Sequence, residues 1–296
     1  MLGALALYKV QKALLAALGS PTASFRWLSF LWSNQFAQLR LRRNPGFVVK
    51  PFRTYLNSDY KFPDRVRSLV SHYEFAVERF SSEQLEPIYF GAGLILAEFH
   101  GKSGVFYRVV LGTHRACHNE GEMLLKIETS KCDVVCFAIF TIGSSKNGKL
   151  QIELGTIQGQ SKNTDFSVTV LATRDFHGLR PKHLLMAIIY SVARNWKIDT
   201  ILCVATRTHA NGTNPLFYSN YDTLWEQLGG QLTGMGFYLL PLHFSYPIGI
   251  NQRRKHRSRH RRRTELKNKI FKMVKNTLTS ALLWFVSLQD WNQIAC

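Results

Sequence analysis

The sequence predicts an α+β fold, with N-terminal helices, an antiparallel β-meander, a helix–strand–helix–strand segment and a C-terminal basic amphipathic helix. Three observations lead there. Five short runs rich in β-branched and aromatic residues follow one another between residues 93 and 155 with only polar turns between them, which implies an antiparallel meander. From Phe176 to Pro241 the pattern becomes helix, strand, loop, helix, strand, with Gly and Pro at the joints. Broad apolar faces at helical spacing flank this centre on both sides.

Taken in order, residues 2–18 suit a short helix stopped by Gly19-Ser20-Pro21. A second helix is expected over residues 23–41, with Ser24 near its start. It carries Phe25, Trp27, Leu28, Phe30, Leu31 and Trp32 and ends on Arg40, Arg42 and Arg43, cations that complement a helix C-terminus ahead of Asn44-Pro45-Gly46. Residues 63–80 form a third helix, with Pro63 in its first turn. Ser81-Ser82-Glu83-Gln84 reads as the capped start of a short helix running to about Tyr89. The strands follow at residues 93–99, 104–111, 123–128, 134–141 and 150–155. Helical periodicity returns near residues 164–174 and dominates 181–196. A strand at 201–205, a helix from Asp222 to Leu228 stopped by Gly229-Gly230, and a strand at 236–241 complete the centre. The last helix is expected over residues 265–288, with Lys267, Lys269, Lys272 and Lys275 on its polar side and Ile270, Phe271, Val274 and Leu278 on its apolar side. These shifts divide the chain into N-terminal amphipathic helices (1–45), an α+β core (46–250) and a basic C-terminal part lying on or beside that core (251–296).

The 296 residues are 46% hydrophobic and 12% aromatic, ample for a buried core, and only 19% charged, which excludes a chain disordered overall. Within that charge, 38 Lys and Arg face 19 Asp and Glu, so contact with a polyanion is favourable, whether RNA or an anionic membrane surface. The five cysteines form no C-x-x-C pair, and three fall in apolar strand-like runs, a pattern of reduced thiols in a cytoplasmic protein. The apolar first eighteen residues carry Lys9 and Lys12 inside the run instead of ahead of it, unlike a secretory signal. No stretch reaches the ~20 apolar residues of a spanning helix.

Several constellations could carry chemistry. His114, His118 and Glu120 form a polar cluster around Cys117. A His pair sharing a helical face would suit a metal, but a segment between two strands reads as a turn and supplies no third ligand, so no metal is expected. A thiolate nucleophile at Cys117 is equally unsupported, because adjacent residues in an extended chain point to opposite sides. Tyr221, Asp222 and Trp225 open the helix after the polar loop; capping and packing explain them, and an acid or base facing a cleft is the functional alternative. Arg253, Arg254, Arg257, Arg261, Arg262 and Arg263 belong to a run of eight permanent cations in eleven residues. This run reads as an RNA-binding arm, a patch on an anionic leaflet or the solvated first turns of a helix. It holds no aromatic residue for base stacking. No cofactor follows from these residues.

The element order resembles the architecture of the acyl-CoA N-acyltransferases, in which a meander leads into strand, helix, strand, helix, strand. That family's Q/R-x-x-G-x-G/A pyrophosphate loop is missing; His177-Gly178-Leu179-Arg180-Pro181-Lys182 stands in its place. The resemblance implies an acyl-thioester whose phosphates would lie near Gly178, Arg180 and Lys182 at a helix N-terminus, and a pair of parallel strands that splay near 150–159 and 200–205. A more specific likeness rests on Thr156-Ile157-Gln158-Gly159, Gly178-Leu179-Arg180-Pro181-Lys182, Tyr221-Asp222-x-x-Trp225-x-x-x-Gly229-Gly230 and Arg257-Ser258-x-x-Arg261-Arg262-Arg263. Together these resemble the VirK/YbjX family of bacterial proteins, a domain of unknown function, over residues 42–266. His260 departs from the aromatic expected there. The resemblance implies an accessory role in virulence: support for a surface virulence protein after transcription, with a protein partner in that production, and envelope resistance to cationic antimicrobial peptides. It establishes no catalytic residue. If the basic run belongs to the family domain, it should form an ordered helix on the surface, and peripheral attachment to the inner membrane would accompany the cytoplasmic location.

Overall fold

The five central runs pair in sequence order as antiparallel neighbours: β1 (Leu94–His100), β2 (Phe106–Gly112), β3 (Met123–Thr129), β4 (Val134–Ser144) and β5 (Leu150–Gly159). The structure, a computed structural model, describes residues 16–114, 118–159, 167–212, 220–242 and 257–285. The alternation of side chains sends Val109, Leu111, Leu125, Ile127 and Ala138 to one face, where they are buried together. Beyond the meander, β6 (Thr200–Val204) joins β5 in parallel, in register from Gln151↔Thr200 to Leu154↔Cys203. β8 (Phe237–Leu240) pairs antiparallel with β6, and the two-residue β7 (Gln231–Leu232) closes the edge, giving the order β1-β2-β3-β4-β5-β6-β8-β7.

The helices are α1 (Pro21–Ser33), α2 (Gln35–Arg43), α3 (Phe62–Arg79), α4 (Ser82–Phe90), α5 (Ser167–Asp175), α6 (Pro181–Asn195), α7 (Asp222–Gln227) and α8 (Arg257–Phe285). The α+β layout read from the sequence is the observed one. One contiguous set of buried side chains includes Trp27 of α1, Leu69 of α3, Phe140 and Ile152 of the sheet, Leu185 and Ile189 of α6, and Ile270 and Val274 of α8. Polar contacts tie α3 to the sheet. The His72 Nδ1 accepts from the Ile142 amide at 3.1 Å, where β4 has run past the first residue of β3, and its Nε2 meets the Tyr89 hydroxyl at 2.7 Å. Burial lowers the His72 pKa to about 3, so the ring is neutral. The buried Glu153 carboxylate accepts from Tyr60 and Ser68 on the same side, at 2.7 and 2.5 Å.

Three local expectations are corrected. The single helix over 23–41 is two helices: it starts earlier, with Pro21 in the first turn, and breaks at Asn34, whose extended backbone and side-chain acceptor for the Ala37 amide cap α2. β7 was not expected, since two exposed residues carry no alternation. The last helix begins at Arg257 instead of residue 265, so the arm-like reading of the basic run fails for residues 257–263. Residues 2–15 of the expected first helix lie outside the described residues, as does the end of the last one.

Candidate functional site

β5 and β6 pair over four residues, and the ladder stops there. On β5 a bulge falls between Leu154, partner of Phe140, and Thr156, partner of Ile139, leaving Gly155 as the extra residue. Only glycine is tolerated there, because a Cβ would lie 1.9 Å from the Glu120 carbonyl oxygen of the segment crossing it. β5 then continues beside β4 to Gly159, whereas β6 ends at Val204. The Val204 carbonyl accepts from Trp225 Nε1 at 3.1 Å, and the Ala205 amide donates to the Gly236 carbonyl. The Val204 carbonyl is thus taken by Trp225 while the Ala205 amide continues the pairing toward β8, and the β5–β6 ladder stops at Leu154↔Cys203.

Buried polar side chains gather where this ladder stops. Tyr221, just ahead of α7 on the β6 side, places its hydroxyl 2.5 Å from Thr156 Oγ1 on β5. Gln158 Nε2 donates to the same Thr156 oxygen at 3.1 Å. The Glu120 carboxyl lies near Thr156 and accepts from Asn211 Nδ2 at 2.6 Å, while its Oε2 is buried with no hydrogen-bond partner among the described residues. Burial pushes the Glu120 pKa up to about 7 against the pull of Asn211 and Thr156. The His209 ring lies 5.6 Å from that of Tyr221 and accepts at Nδ1 from the Asn211 amide; burial lowers its pKa to about 4. The result is a carboxyl poised near neutrality beside a hydrogen-bonded Thr–Tyr hydroxyl pair, groups of the kind that move protons.

The structure distributes the sequence candidates unevenly. Tyr221 stands in this group. Asp222 accepts from the Thr206 amide and hydroxyl at 2.8 and 3.0 Å, so it holds the turn after β6, and Trp225 holds the strand end itself. The His114–His118–Glu120 cluster separates: Glu120 turns to Asn211 and Thr156, while the two histidines line a different cavity. Among the described residues no group of three or more His, Cys, Asp or Glu is placed to hold a metal ion. Cys117 lies outside the described residues.

Gly178, with φ +79, turns the chain out of α5, its amide bonded to the Thr173 carbonyl at 2.7 Å. Arg263 of α8 donates to the His177 and Gly178 carbonyls at 2.8 and 3.0 Å, so the glycine docks the last helix. Arg180 is exposed. Lys182, half-buried in the first turn of α6, has its Cε 3.7 Å from where a Cβ on Gly159 would stand, at the open end of β5. Of these three, Lys182 is the one beside the end of β5. Arg257, Arg261 and Arg262 lie in the first turns of α8, with Arg261 paired to Glu265 at 3.3 Å; Arg253 and Arg254 lie outside the described residues.

Sequence reading missed His209 and Asn211 as site residues, and did not single out Thr156 and Gln158 individually. The signal for the latter pair was present in the Thr156-Ile157-Gln158-Gly159 motif; for the former, only a polar loop between strand and helix.

Fold and site define an α+β protein whose short parallel pair ends beside a buried Thr156–Tyr221 hydroxyl pair and the buried Glu120. The chain belongs to the family described as a protein of unknown function, DUF535, whose model matches residues 8–276. It is 26% identical over 264 residues to the uncharacterized protein YbjX of Escherichia coli (strain K12), an alignment covering 86% of this chain and 79% of that protein. This agrees with the VirK/YbjX resemblance carried by the sequence motifs.

Proposed function

We propose that the protein is an acyltransferase that takes an acyl-thioester, of the coenzyme A type, where the β5–β6 ladder stops. The observation that carries the reading is the buried Thr156–Tyr221 hydroxyl pair with the Glu120 carboxyl beside it, next to a parallel pair whose ladder stops at a bulge. Ionised Glu120 accepts a proton from an acceptor amine as its nitrogen attacks the thioester carbonyl. The C–N bond forms and the C–S bond breaks. Tyr221 protonates the departing thiolate, and the proton on Glu120 returns to Tyr221 through the Thr156 hydroxyl. A base with its pKa near 7 is matched to this work at neutral pH. Lys182, beside the end of β5, supports phosphate binding there, although the family's glycine-rich loop is lacking.

The test is titration of the full chain with acetyl- and longer-chain acyl-coenzyme A, followed by thiol release with amine acceptors. Tyr221→Phe is expected to slow release about 10²-fold or more while leaving thioester binding intact. Lack of any thioester binding by the wild-type chain would end the reading. The virulence and envelope-resistance role is supported by the family resemblance alone, and the transfer would act in that setting. A Tyr221→Phe gene that fully restored peptide resistance to a deletion strain would separate the two.

A second reading, docking on an anionic membrane surface, is favoured by one observation. Phe25, Leu28 and Trp32 recur at helical spacing on α1 and are 74, 59 and 85% exposed, with Leu18, 77% exposed, just ahead of it. Among the described residues no helix is long and apolar enough to cross a membrane. The Phe25→Ser/Trp32→Ser chain should lose retention on phosphatidylglycerol vesicles while melting like wild type. Equal retention would refute the reading, and retention displaced by RNA would shift weight to the basic turns of α8.

A further inference from the structure

The segment that carries Glu120 also lines, through His118, Gly121 and Glu122, a cavity of about 630 Å³ walled on its other sides by the end of α2 and residues 44–53. Its charge is unbalanced. Arg40, Arg43, Lys50 and Arg53 line it against a single carboxylate, Glu122. Arg43 is matched outside by Glu86 at 3.0 Å, which leaves Arg40, Lys50 and Arg53 facing Glu122, an excess of two positive charges. Glu122 is already engaged: Lys50 Nζ lies 2.5 Å and Arg40 Nη2 4.0 Å from its oxygens, and the Tyr73 hydroxyl donates to it.

The Arg40 guanidinium is fixed in an aromatic cage, 5.4 Å from the Tyr89 ring centre and 5.6 Å from those of Phe47 and Tyr73. Its Nε is buried and has no hydrogen-bond partner among the described residues. Arg40 and Lys50 are largely buried against one carboxylate, with the exposed Arg53 at the rim, and a surplus of partly desolvated positive charge is costly unless an anion meets it. A guanidinium offers forked donors that match a tetrahedral oxyanion, and a phosphate monoester carries about −1.5 to −2 charges at pH 7, the size of the surplus. A carboxylate would cancel only half of it. The volume falls in the range of about 300–1,000 Å³ typical of ligand sites, so more than a bare phosphate can enter.

We infer that this cavity binds a phosphate-bearing ligand, with Arg40, Lys50 and Arg53 holding the phosphate and Phe47 and Phe90 walling the remainder. The inference is independent of the acyl-transfer reading, because the two sites share the 118–122 segment but no binding group.

The test uses the full chain with two probes, inorganic pyrophosphate by calorimetry and phosphatidylcholine vesicles containing phosphatidic acid by sedimentation. Arg53→Ala changes an exposed side chain and should leave the fold intact; it is expected to weaken binding at least about tenfold. The Arg261→Glu/Arg262→Glu chain, altered on α8, should bind like wild type. Pyrophosphate binding sensitive to Arg53 identifies a soluble phosphate ligand, and vesicle binding alone, equally sensitive, identifies a lipid headgroup. Absence of saturable binding to either probe, or equal losses in the α8 variant, would overturn the assignment. Neither probe carries a thioester, so failure here leaves the acyl-transfer reading standing, and the reverse holds too.

Discussion

At neutral pH the Glu120 carboxyl is close to half-protonated, because burial pushes its pKa to about 7. That shift has a consequence for stability. In the unfolded chain the group titrates near 4.5, so between that value and about 7 the folded state holds a proton that the unfolded state has lost. Stability therefore falls as pH rises through this window and levels off above it, at a total of about 3 kcal/mol. Glu120→Gln removes the titration. Its urea midpoint is expected to match wild type near pH 4 and to exceed it increasingly up to pH 8, while acyl transfer is lost; a gap independent of pH would contradict the assigned environment. Glu122 sits a short distance away with the opposite shift. Burial would raise it, but Lys50, His72 and Arg40 together hold it down at about 2. Two glutamates separated by one residue thus have opposite electrostatic roles. Composition flagged the first through its neighbours His114 and His118, yet the partners that define it, Thr156 and Asn211, come from distant segments.

Among the elements, α8 shows how much periodicity can and cannot convey. Its apolar stripe, with Ile270 and Val274 fully buried, was legible from the sequence and packs into the common core. Its start was not. Eight permanent cations in eleven residues left open a solvated arm or the first turns of an ordered surface helix; Arg263 finds the carbonyls of His177 and Gly178, and those bonds exist only once α5 and α6 are in place. Ile270→Ala should cost about 2–5 kcal/mol, the usual range for emptying a fully buried site, and lower the urea midpoint with an unchanged slope. A loss below about 0.5 kcal/mol would mean that α8 does not share the core. The break between α1 and α2 was hidden for a related reason: Asn34 interrupts an apolar pattern that reads continuously on both sides, and its capping role depends on one backbone turn.

For the whole molecule, a net charge of +19 predicts attraction to any polyanion, and this alone distinguishes no partner. The structure separates the charge into an exposed helical start on α8 and a half-enclosed cavity around Arg40, Lys50 and Arg53. The two should differ in salt response. Contacts of the exposed turns are screened within a Debye length of about 8 Å at physiological salt, whereas those of the largely buried Arg40 and Lys50 are screened much less. By itself the sequence determined the fold class, the strand meander, the helix–strand alternation after it and the family, because these follow from local periodicity and from motifs a few residues long. Tertiary structure alone decided where the β5–β6 ladder stops and which polar side chains gather there. It also decided the division of His114 and His118 from Glu120 and the surplus of cations in one cavity. Each of these depends on side chains brought together from residues far apart in the chain, and on burial, which sets the charge state of a carboxyl only after the surrounding core has closed.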